Sequence, residues 1–179
     1  MTNTLEIKLL SENATMPKRD RLDAGYDIYS AETIILEPQE KAVIKTDVAV
    51  NIPEGYVGLL TSRSGVSSKT HLVIETGKID AGFQGNMKIN IKNDIGTLQD
   101  EFETVKDENG NDVSAYIMKN IKGEKTNGCH LLPNTYIIHE GDKLAQLVIV
   151  PIWTPELKEV EEFSCESERG EQGFGSTGF

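Results

Sequence analysis

The sequence predicts an all-β fold, and three of its features support that class. Apolar and polar residues alternate with a period of two, as at Leu5, Ile7 and Leu9, which is the spacing of a strand that buries one face. Short runs rich in valine and isoleucine recur along the chain, and turn sequences such as the Pro-Glu-Gly at 53–55 separate them. Many short strands with turns between them are typical of a β-sandwich or β-barrel.

The predicted strands fill the first half of the chain and return near its C-terminal end. In chain order they are Leu5–Leu9, Ile28–Tyr29, Thr33–Leu36, Ala42–Val50, Tyr56–Leu60, Leu72–Ile74, Met87–Ile91, Tyr136–Ile138 and Leu144–Ile152. Each is short enough for a strand, and glycine, proline, asparagine or aspartate residues follow most of them, as expected where the chain turns back.

The stretch 94–133 departs from this pattern and admits two interpretations. Leu98, Phe102 and Val105 are spaced at i, i+4 and i+7, which suits an amphipathic helix. However, an Asn-Gly pair at 109–110 lies between two β-prone runs, and Asn-Gly is the strongest short signal for a hairpin. We favour the hairpin, and under either interpretation this stretch is an excursion from the β core, between two strands that we expect to be adjacent.

Composition narrows the classes of function. The 179 residues suit a single domain. Its 18 basic and 29 acidic residues give a net charge of −11, which argues against direct binding to nucleic acid or to an anionic membrane, because both need clustered lysine and arginine. No apolar stretch approaches the roughly 20 residues of a membrane span, and the N-terminal residues lack the pattern of a secretory signal. We therefore expect a cytoplasmic protein.

Two glycine-containing segments in the first half of the chain carry residues suited to anion or metal chemistry. Asp27 follows an Ala-Gly pair at 24–25 and suits either a turn or a metal-bound water. The segment 61–69 is rich in serine and contains Arg63 and Gly65. Hydroxyls, backbone N–H groups and a guanidinium of this kind wrap a phosphate, although a solvated serine-rich turn has the same composition.

Two further segments combine glycine with a carboxylate or an aromatic ring. Asp80 stands among three glycines, where it either forms a β-turn or orients a water as a general base, and the Phe83 ring beside it suits stacking on a sugar or base. The C-terminal segment 169–178 combines arginine, phenylalanine, serine and threonine with four glycines. It suits a lid that orders over a bound nucleotide, with a flexible tail as the alternative.

Together with the strand 141–151, these segments resemble the five motifs of the trimeric dUTPase family (deoxyuridine triphosphate nucleotidohydrolases). In order they read AGYDIYSAE at 24–32, SRSGVSSK at 62–69, ETGKIDAGFQGNMKINIKN at 75–93, GDKLAQLVIVP at 141–151 and RGEQGFGSTG at 169–178. The resemblance implies hydrolysis of dUTP to dUMP and pyrophosphate with Mg2+, by attack of water on the α-phosphate. This activity limits uracil in DNA and supplies dUMP.

The same resemblance implies the architecture. We expect a jelly-roll β-barrel that forms a homotrimer, with each active site built from all three chains. Residues 1–93 and 136–168 would form the β core, residues 94–135 an inserted subdomain, and residues 169–179 a mobile arm that closes the active site.

The resemblance also implies the roles of individual residues. Asp80 matches the family aspartate that activates the attacking water, and Asp27 matches the aspartate that holds the metal through water. The residues implied in substrate binding are Arg63, Ser64, Gly65, Gly77, Lys78, Ile79, Phe83, Lys88, Gln146, Arg169, Phe174, Gly175, Ser176 and Thr177. Among these, Phe174 would stack on uracil and the other arm residues would contact phosphates.

This chain departs from the family pattern in two places. Phe83 stands where the family usually has tyrosine, so the ring that excludes a ribose 2′-hydroxyl is kept and the phenol is lost. The second departure is the insert 94–135, which resembles that of dUTPases from phages that infect staphylococci. In that group the enzyme also binds the repressor of a pathogenicity island, which makes such a repressor an expected partner here.

Two alternatives remain open at the level of sequence. A dCTP deaminase shares the fold, although the GFGSTG arm favours a dUTPase. A regulatory protein with secondary enzymatic activity is the other alternative, and the insert is the feature that supports it.

Overall fold

The computed structural model describes residues 4–96, 102–167 and 170. Within them almost all of the regular secondary structure is strand and the one helix is a single turn, so the prediction of an all-β fold is confirmed. The elements are β1 (Glu6–Leu9), β2 (Tyr26–Tyr29), β3 (Ile34–Leu36), β4 (Lys41–Lys45), β5 (Val48–Asn51), β6 (Tyr56–Ser62), α1 (Ser64–Ser67), β7 (Leu72–Ile74), β8 (Gly77–Ile79), β9 (Lys88–Asn93), β10 (Phe102–Lys106), β11 (Asp112–Lys119), β12 (Lys125–His130), β13 (Tyr136–Ile138) and β14 (Lys143–Pro151).

The strands of the described residues pair in four sheets rather than around one closed ladder. The orders are β2-β14-β6-β8, β4-β9-β7, β1-β5, and β10-β11-β13-β3 with β12 added on β11. All pairs are antiparallel except β11 with β13. The long central strands β6 and β14 pair over seven residues, from Ala145 opposite Ser62 to Pro151 opposite Tyr56, and this pair carries the parts of the candidate site.

One apolar core lies between the sheets. Its fully buried members come from nearly every sheet, for example Ile28, Ile44, Leu60, Ile89 and Leu144, each at most 1% exposed. The period-two pattern of the sequence explains this arrangement, since β9 buries Ile89 and Ile91 while the residues between them face outward.

The predicted strand Ala42–Val50 is two strands instead of one. The chain breaks at Thr46, which is buried and donates its hydroxyl to Met87 O at 2.8 Å. Asp47 follows with a φ of 51°, a left-handed conformation that no continuous strand contains. An apolar run does not reveal such a break, because the nearest apolar residues on its two sides, Ile44 and Val48, are both buried.

The insert contains the hairpin that the sequence favoured over a helix. β10 and β11 pair from Phe102 opposite Tyr116 to Lys106 opposite Asp112, with Gly110 at a φ of 81° in the turn. β12, which the sequence analysis did not predict, extends this sheet on the other side of β11. The expected adjacency of the flanking strands is wrong, because β9 pairs with β4 and β7 whereas β13 pairs with β3 and β11.

No helix in the described part of the chain is long and apolar enough to cross a membrane.

Candidate active site

A cavity of about 510 Å³ lies beside the loop that joins β8 to β9, two strands that belong to different sheets. Its lining residues are Lys78, Ile79, Asp80, Phe83, Asn86, Met87 and Lys88. Five of the residues predicted from the sequence to bind or act on a nucleotide are therefore neighbours: Lys78, Ile79, Asp80, Phe83 and Lys88. Buried Ile79 and Met87 form the apolar inner side of the cavity, whereas Asp80 and Phe83 are exposed at its rim. Such a cavity suits a ligand that places a flat ring on the inner side and a charged group at the rim.

A tight turn places Asp80 and Phe83 at this rim. The Phe83 N–H donates to Asp80 O at 3.1 Å, and Gly82 between them has a φ of 85°, as the third position of a type II turn requires. Phe83 then packs across Gly85, where a Cβ would lie only 2.7 Å from the ring. The glycines of this motif are therefore explained by the turn and by the position of the ring.

Two side-chain amides fix this loop to β5 and to the residue that precedes β5. Asn86 donates to Asp47 Oδ1 at 2.6 Å and accepts the Asp47 N–H at 3.0 Å. Gln84 donates to Asn51 Oδ1 at 3.1 Å. These bonds hold the second half of the loop, and Asp80 at its start follows β8 directly, so the loop is supported on both sides of the Phe83 ring.

A second group of predicted residues surrounds Asp27 on the β2-β14-β6 sheet. Asp27 Oδ1 lies 2.8 Å from Arg63 Nε and 3.4 Å from Gln146 Nε2, and Asp27 Oδ2 lies 3.0 Å from Lys143 Nζ. The Arg63 N–H does not point along a hydrogen bond to this oxygen, so the contact is an ion pair by distance alone. Two predicted residues, Arg63 and Gln146, and one unpredicted lysine thus meet at the largely buried carboxylate of Asp27.

The surroundings of Asp27 shift two pKa values. Burial opposes ionisation of Asp27, but the Lys143 hydrogen bond and the Arg63 charge outweigh it and hold the pKa of Asp27 below its ordinary value. The hydrogen bond to Asp27 in turn raises the pKa of Lys143. Asp27 and Lys143 are therefore charged at neutral pH, and two basic side chains, Lys143 and Arg63, flank one carboxylate.

Lys143 is the residue of the group around Asp27 that the sequence analysis did not predict. It begins β14, three residues before Gln146, and a β-bulge between Lys143 and Ala145 turns it toward Asp27. Its Nζ also lies 5.8 Å from the centre of the Tyr29 ring. Its position in GDKLAQ was visible in the sequence, but a lysine at a strand end is usually solvated, so nothing singled it out.

Arg63 is followed at once by the single helical turn α1. The N–H groups of Val66 and Ser67 both donate to Arg63 O, which holds the chain curled directly after the guanidinium. Ser64 and Gly65 lie on the exposed side of this curl, and a Cβ on Gly65 would meet open space. The predicted phosphate-binding loop is thus open to an incoming ligand.

The two groups of residues lie at opposite ends of β6. β8 pairs with β6 from Gly77 opposite Leu60 to Ile79 opposite Gly58, so Asp80 leaves the sheet at the Gly58 end. Arg63 follows the other end of the same strand, five residues away, which is about 16 Å at a strand rise of about 3.3 Å. Gly77 lies between the two groups. Within one chain the carboxylate and the phosphate loop are therefore not neighbours.

The predicted residues of the C-terminal arm, Arg169, Phe174, Gly175, Ser176 and Thr177, lie outside the described residues.

The residues around Asp27 fit one mode of magnesium binding. Across the described ranges, no group of three or more His, Cys, Asp or Glu side chains is arranged to hold a metal ion. Mg2+ usually keeps several waters and binds through one or two carboxylates together with the phosphates of a substrate. A single largely buried carboxylate suits that mode, in which the ion arrives with a triphosphate, and does not suit a permanent protein cage.

Comparison with known proteins identifies the class to which this site belongs. The family model described as dUTPase matches residues 12–99 and 132–178, which leaves out the insert sheet. The human mitochondrial deoxyuridine 5'-triphosphate nucleotidohydrolase is 33% identical over 97% of this chain, which spans 54% of that relative. The enzyme of the same name from Mycobacterium marinum is 32% identical over 99% of this chain and 97% of its own length. The chain belongs to the dUTPase family.

Solved structures extend the similarity to the insert. The dUTPase of Staphylococcus bacteriophage 80alpha with dUpNHpp is 62% identical, with a TM-score of 0.85 over 99% of this chain and all of that one. The dUTPase of phage phi11 of S. aureus, described as showing a species-specific insert, is 64% identical with a TM-score of 0.79 over 90% of this chain and 99% of its own. The dUTPase-like fold implied by the motifs is therefore confirmed, with four separate sheets in this chain in place of one closed barrel.

Proposed function

We propose that this protein hydrolyses dUTP to dUMP and pyrophosphate. The observation that carries the proposal is the cavity of about 510 Å³ whose lining combines exposed Asp80 and Phe83 with buried Ile79 and Met87. The curated relatives are named for this reaction, and the 80alpha enzyme was solved with dUpNHpp, an analogue of dUTP. Uracil and deoxyribose would occupy the cavity between Ile79 and Phe83.

In the proposed reaction, Asp80 takes a proton from a water that attacks the α-phosphorus. A new bond forms between the water oxygen and the phosphorus, and the bond to the oxygen that bridges the α- and β-phosphates breaks, so that pyrophosphate leaves. Arg63 and Gln146 would donate to the phosphate oxygens as negative charge builds on them. Mg2+, held near Asp27 through water, would neutralise part of the triphosphate charge.

We also propose that the active site is shared between chains of a homotrimer. The position of Asp80 and Arg63 at opposite ends of β6 supports this proposal, because a water-activating carboxylate must lie within a few ångströms of the phosphate that it serves. A second chain would supply its phosphate loop to the cavity of the first. The exposed apolar side chains of the tail after β14, Trp153, Leu157 and Phe163, each at least 88% exposed, also suit burial against a neighbouring chain.

The proposed division of the chain is a core of residues 1–93 and 136–168, an insert of residues 94–135 and a closing arm of residues 169–179. The gap between residues 99 and 132 in the family match supports the insert. The arm is proposed from its sequence alone. A protein that ends at residue 168 should keep its fold and lose most of its turnover, whereas unchanged turnover would show that the arm is not a lid.

A nucleotide panel tests the proposed reaction directly. Purified protein with Mg2+ should release pyrophosphate from dUTP and neither pyrophosphate nor ammonia from dCTP. Release of ammonia from dCTP would instead identify the deaminase alternative. UTP, dTTP and ATP complete the panel, because a pocket that reads both uracil and deoxyribose rejects each of them for a different reason.

A second proposed function is regulation through a protein partner, the repressor of a pathogenicity island. The observation that favours it is the set of three strands, β10, β11 and β12, that the insert adds to the sheet of β13 and β3 and that the family model does not match. The 80alpha structures are described with the statement that phage dUTPases control transfer of virulence genes by a proto-oncogenic G protein-like mechanism. Exposed acidic residues on β10 and its turn, Glu103 and Glu108, would attract a basic partner and make association slower at high salt.

Repressor affinity measured with and without dUpNHpp tests this second function. A variant in which Glu103 and Glu108 become glutamine should associate more slowly and lose part of the salt dependence. Equal association rates for the variant and the original protein would remove the insert from the proposed contact.

A further inference from the structure

The turn between β11 and β12 of the insert touches the chain that supports the phosphate loop. Gly123 in this turn has a φ of 75°, and a Cβ built there would lie 2.4 Å from Lys69 O. Lys69 follows α1 by two residues. The contact joins backbone to backbone, so no flexible side chain between the two segments can yield.

The turn is rigid in itself. Asn120 Oδ1 accepts the N–H groups of Lys122 and Glu124 at 2.9 and 3.0 Å, and its amide donates to Glu124 Oε2 at 3.0 Å. The Gly123 N–H donates to Asn120 O at 2.9 Å. One asparagine therefore organises the whole turn, and Gly123 has little freedom to move relative to its neighbours.

The turn is also fixed to the body of the protein. Ile121 is 9% exposed and belongs to the main apolar core, although it lies in the insert. The Lys119 N–H donates to Thr135 O at 3.0 Å, which ties the end of β11 to the start of β13. The turn cannot lean away from Lys69 without removing Ile121 from the core.

Hydrogen bonds connect Lys69, which the insert turn contacts, to the phosphate loop. The N–H groups of Lys69 and Thr70 both donate to Val66 O, and so does the Thr70 hydroxyl at 2.8 Å. Val66 is the buried residue of α1, and α1 is hydrogen-bonded in turn to Arg63 O. A shift of the Lys69 carbonyl therefore moves α1 and Arg63 as one unit.

We propose that the insert turn 120–124 is a positioning element for the phosphate loop 63–65, an inference that rests on the proposed function. The front of this loop is open to solvent, whereas its rear is supported by the insert. Since the family model leaves this turn unmatched, the support is an addition of this chain to the family pattern. Gly123 acts through Lys69 and α1 and does not touch the nucleotide.

The variant Gly123→Ala tests the proposal, with Gly110→Ala as its matched control. Gly110 lies in the other turn of the insert with a φ of 81°, and a Cβ there meets nothing within 4 Å. Both variants carry the same backbone cost, and only Gly123→Ala adds the collision with Lys69. Relief of that collision needs a movement of about 1 Å, which at a catalytic site costs up to about a hundredfold in rate.

Measurements with dUTP, dUpNHpp and deoxyuridine distinguish a defect in positioning the phosphate loop from a general loss of structure. For Gly123→Ala we expect kcat/KM with dUTP to fall about tenfold to a hundredfold and dUpNHpp to bind more weakly. Deoxyuridine should bind as before, because the nucleoside cavity lies at the other end of β6. Gly110→Ala should match the original protein in all three measurements. Equal triphosphate affinity in the two variants, or an equal loss of deoxyuridine and dUpNHpp binding in Gly123→Ala, overturns the proposal.

A second variant, Ile121→Val, tests the same proposal if Gly123→Ala does not fold. Ile121→Val removes one methyl group from the anchor of the turn and adds no collision. It should weaken dUpNHpp binding severalfold without changing deoxyuridine binding, whereas unchanged dUpNHpp binding in this folded variant overturns the proposal.

Discussion

The chemistry proposed for single residues depends most on Asp80. Asp80→Asn keeps the size of the side chain but removes its ability to accept a proton, so turnover of dUTP should fall by about 10²–10⁴. Binding of dUpNHpp should remain close to that of the original protein, because the turn and the Phe83 ring are retained. Steady-state kinetics and calorimetric titration measure the two quantities separately.

Asp112→Asn is a suitable control for this variant. Asp112 is an exposed aspartate that pairs with Lys106 at the start of β11, on the insert and away from the cavity. It should turn over dUTP normally. Normal turnover in Asp80→Asn as well would exclude Asp80 as the base.

The lowered pKa of Asp27 leads to a prediction about how the free energy of unfolding changes at acid pH. Its pKa in the folded protein lies below the ordinary value of 3.8, so the folded state favours the charged form, and this stabilisation is fully present above that value. It is lost as the pH falls from about 4 through the lowered pKa of the folded state. Asp27→Asn should cost about 2 kcal/mol of unfolding free energy at pH 7, and the difference from the original protein should shrink below pH 4.

Chemical denaturation at pH 7, 5 and 3 measures this effect. Lys143→Gln should show a smaller loss with the same pH dependence, because Arg63 remains beside Asp27. A deficit in Asp27→Asn that is the same at every pH would show that packing, and not charge, causes the loss.

At the scale of elements, the loop from β8 to β9 should determine the choice between deoxyribose and ribose. Phe83→Leu removes the ring that lies across Gly85, so we expect the preference for dUTP over UTP to fall on the order of tenfold, which is the usual size of a steric discrimination. Phe83→Tyr keeps the ring and should leave the preference unchanged. The ratio of kcat/KM values for dUTP and UTP is the measurement, and equal ratios in all three proteins would contradict the assignment.

The sequence predicted elements well where one local signal dominated. The alternating pattern found β1 and β9, and the Asn-Gly pair correctly favoured a hairpin over a helix in the insert. Prediction from the sequence failed where long-range contacts determine the bounds of an element or the burial of a residue. The break between β4 and β5 depends on the hydrogen bond from Thr46 to Met87 O, 41 residues away. The core position of Ile121 likewise depends on how the insert folds back, which no local pattern in 94–133 indicates.

At the scale of the whole molecule, the order of the motifs predicted the family but did not predict the geometry of the site. Asp80 and Arg63 are only 17 positions apart in the sequence, yet β6 and β8 hold them at opposite ends of a strand pair. Only the register of that pair reveals the separation. Lys143 is the opposite case, since it is distant from Asp27 in sequence and 3.0 Å from it in space.

The separation leads to a prediction about mixed oligomers. Asp80→Asn and Arg63→Gln should each be nearly inactive alone, because every site then lacks either its base or its phosphate ligand. When the two proteins are unfolded and refolded together in equal amounts, some sites combine the intact Asp80 of one chain with the intact Arg63 of another. Random assembly with the two residues on different chains should restore about a quarter of the original turnover per site.

The control mixture contains Asp80→Asn and the double variant Asp80→Asn/Arg63→Gln, which offers no intact Asp80 and should stay inactive. Differently tagged chains, captured through one tag and probed for the other, establish that mixed oligomers have formed. If they have formed and turnover does not exceed the sum of the separate variants, each chain completes its own site. Arg63 would then have to reach Asp80 along β6 within a single chain, over a distance of about 16 Å at the usual strand rise, which an arginine side chain does not span.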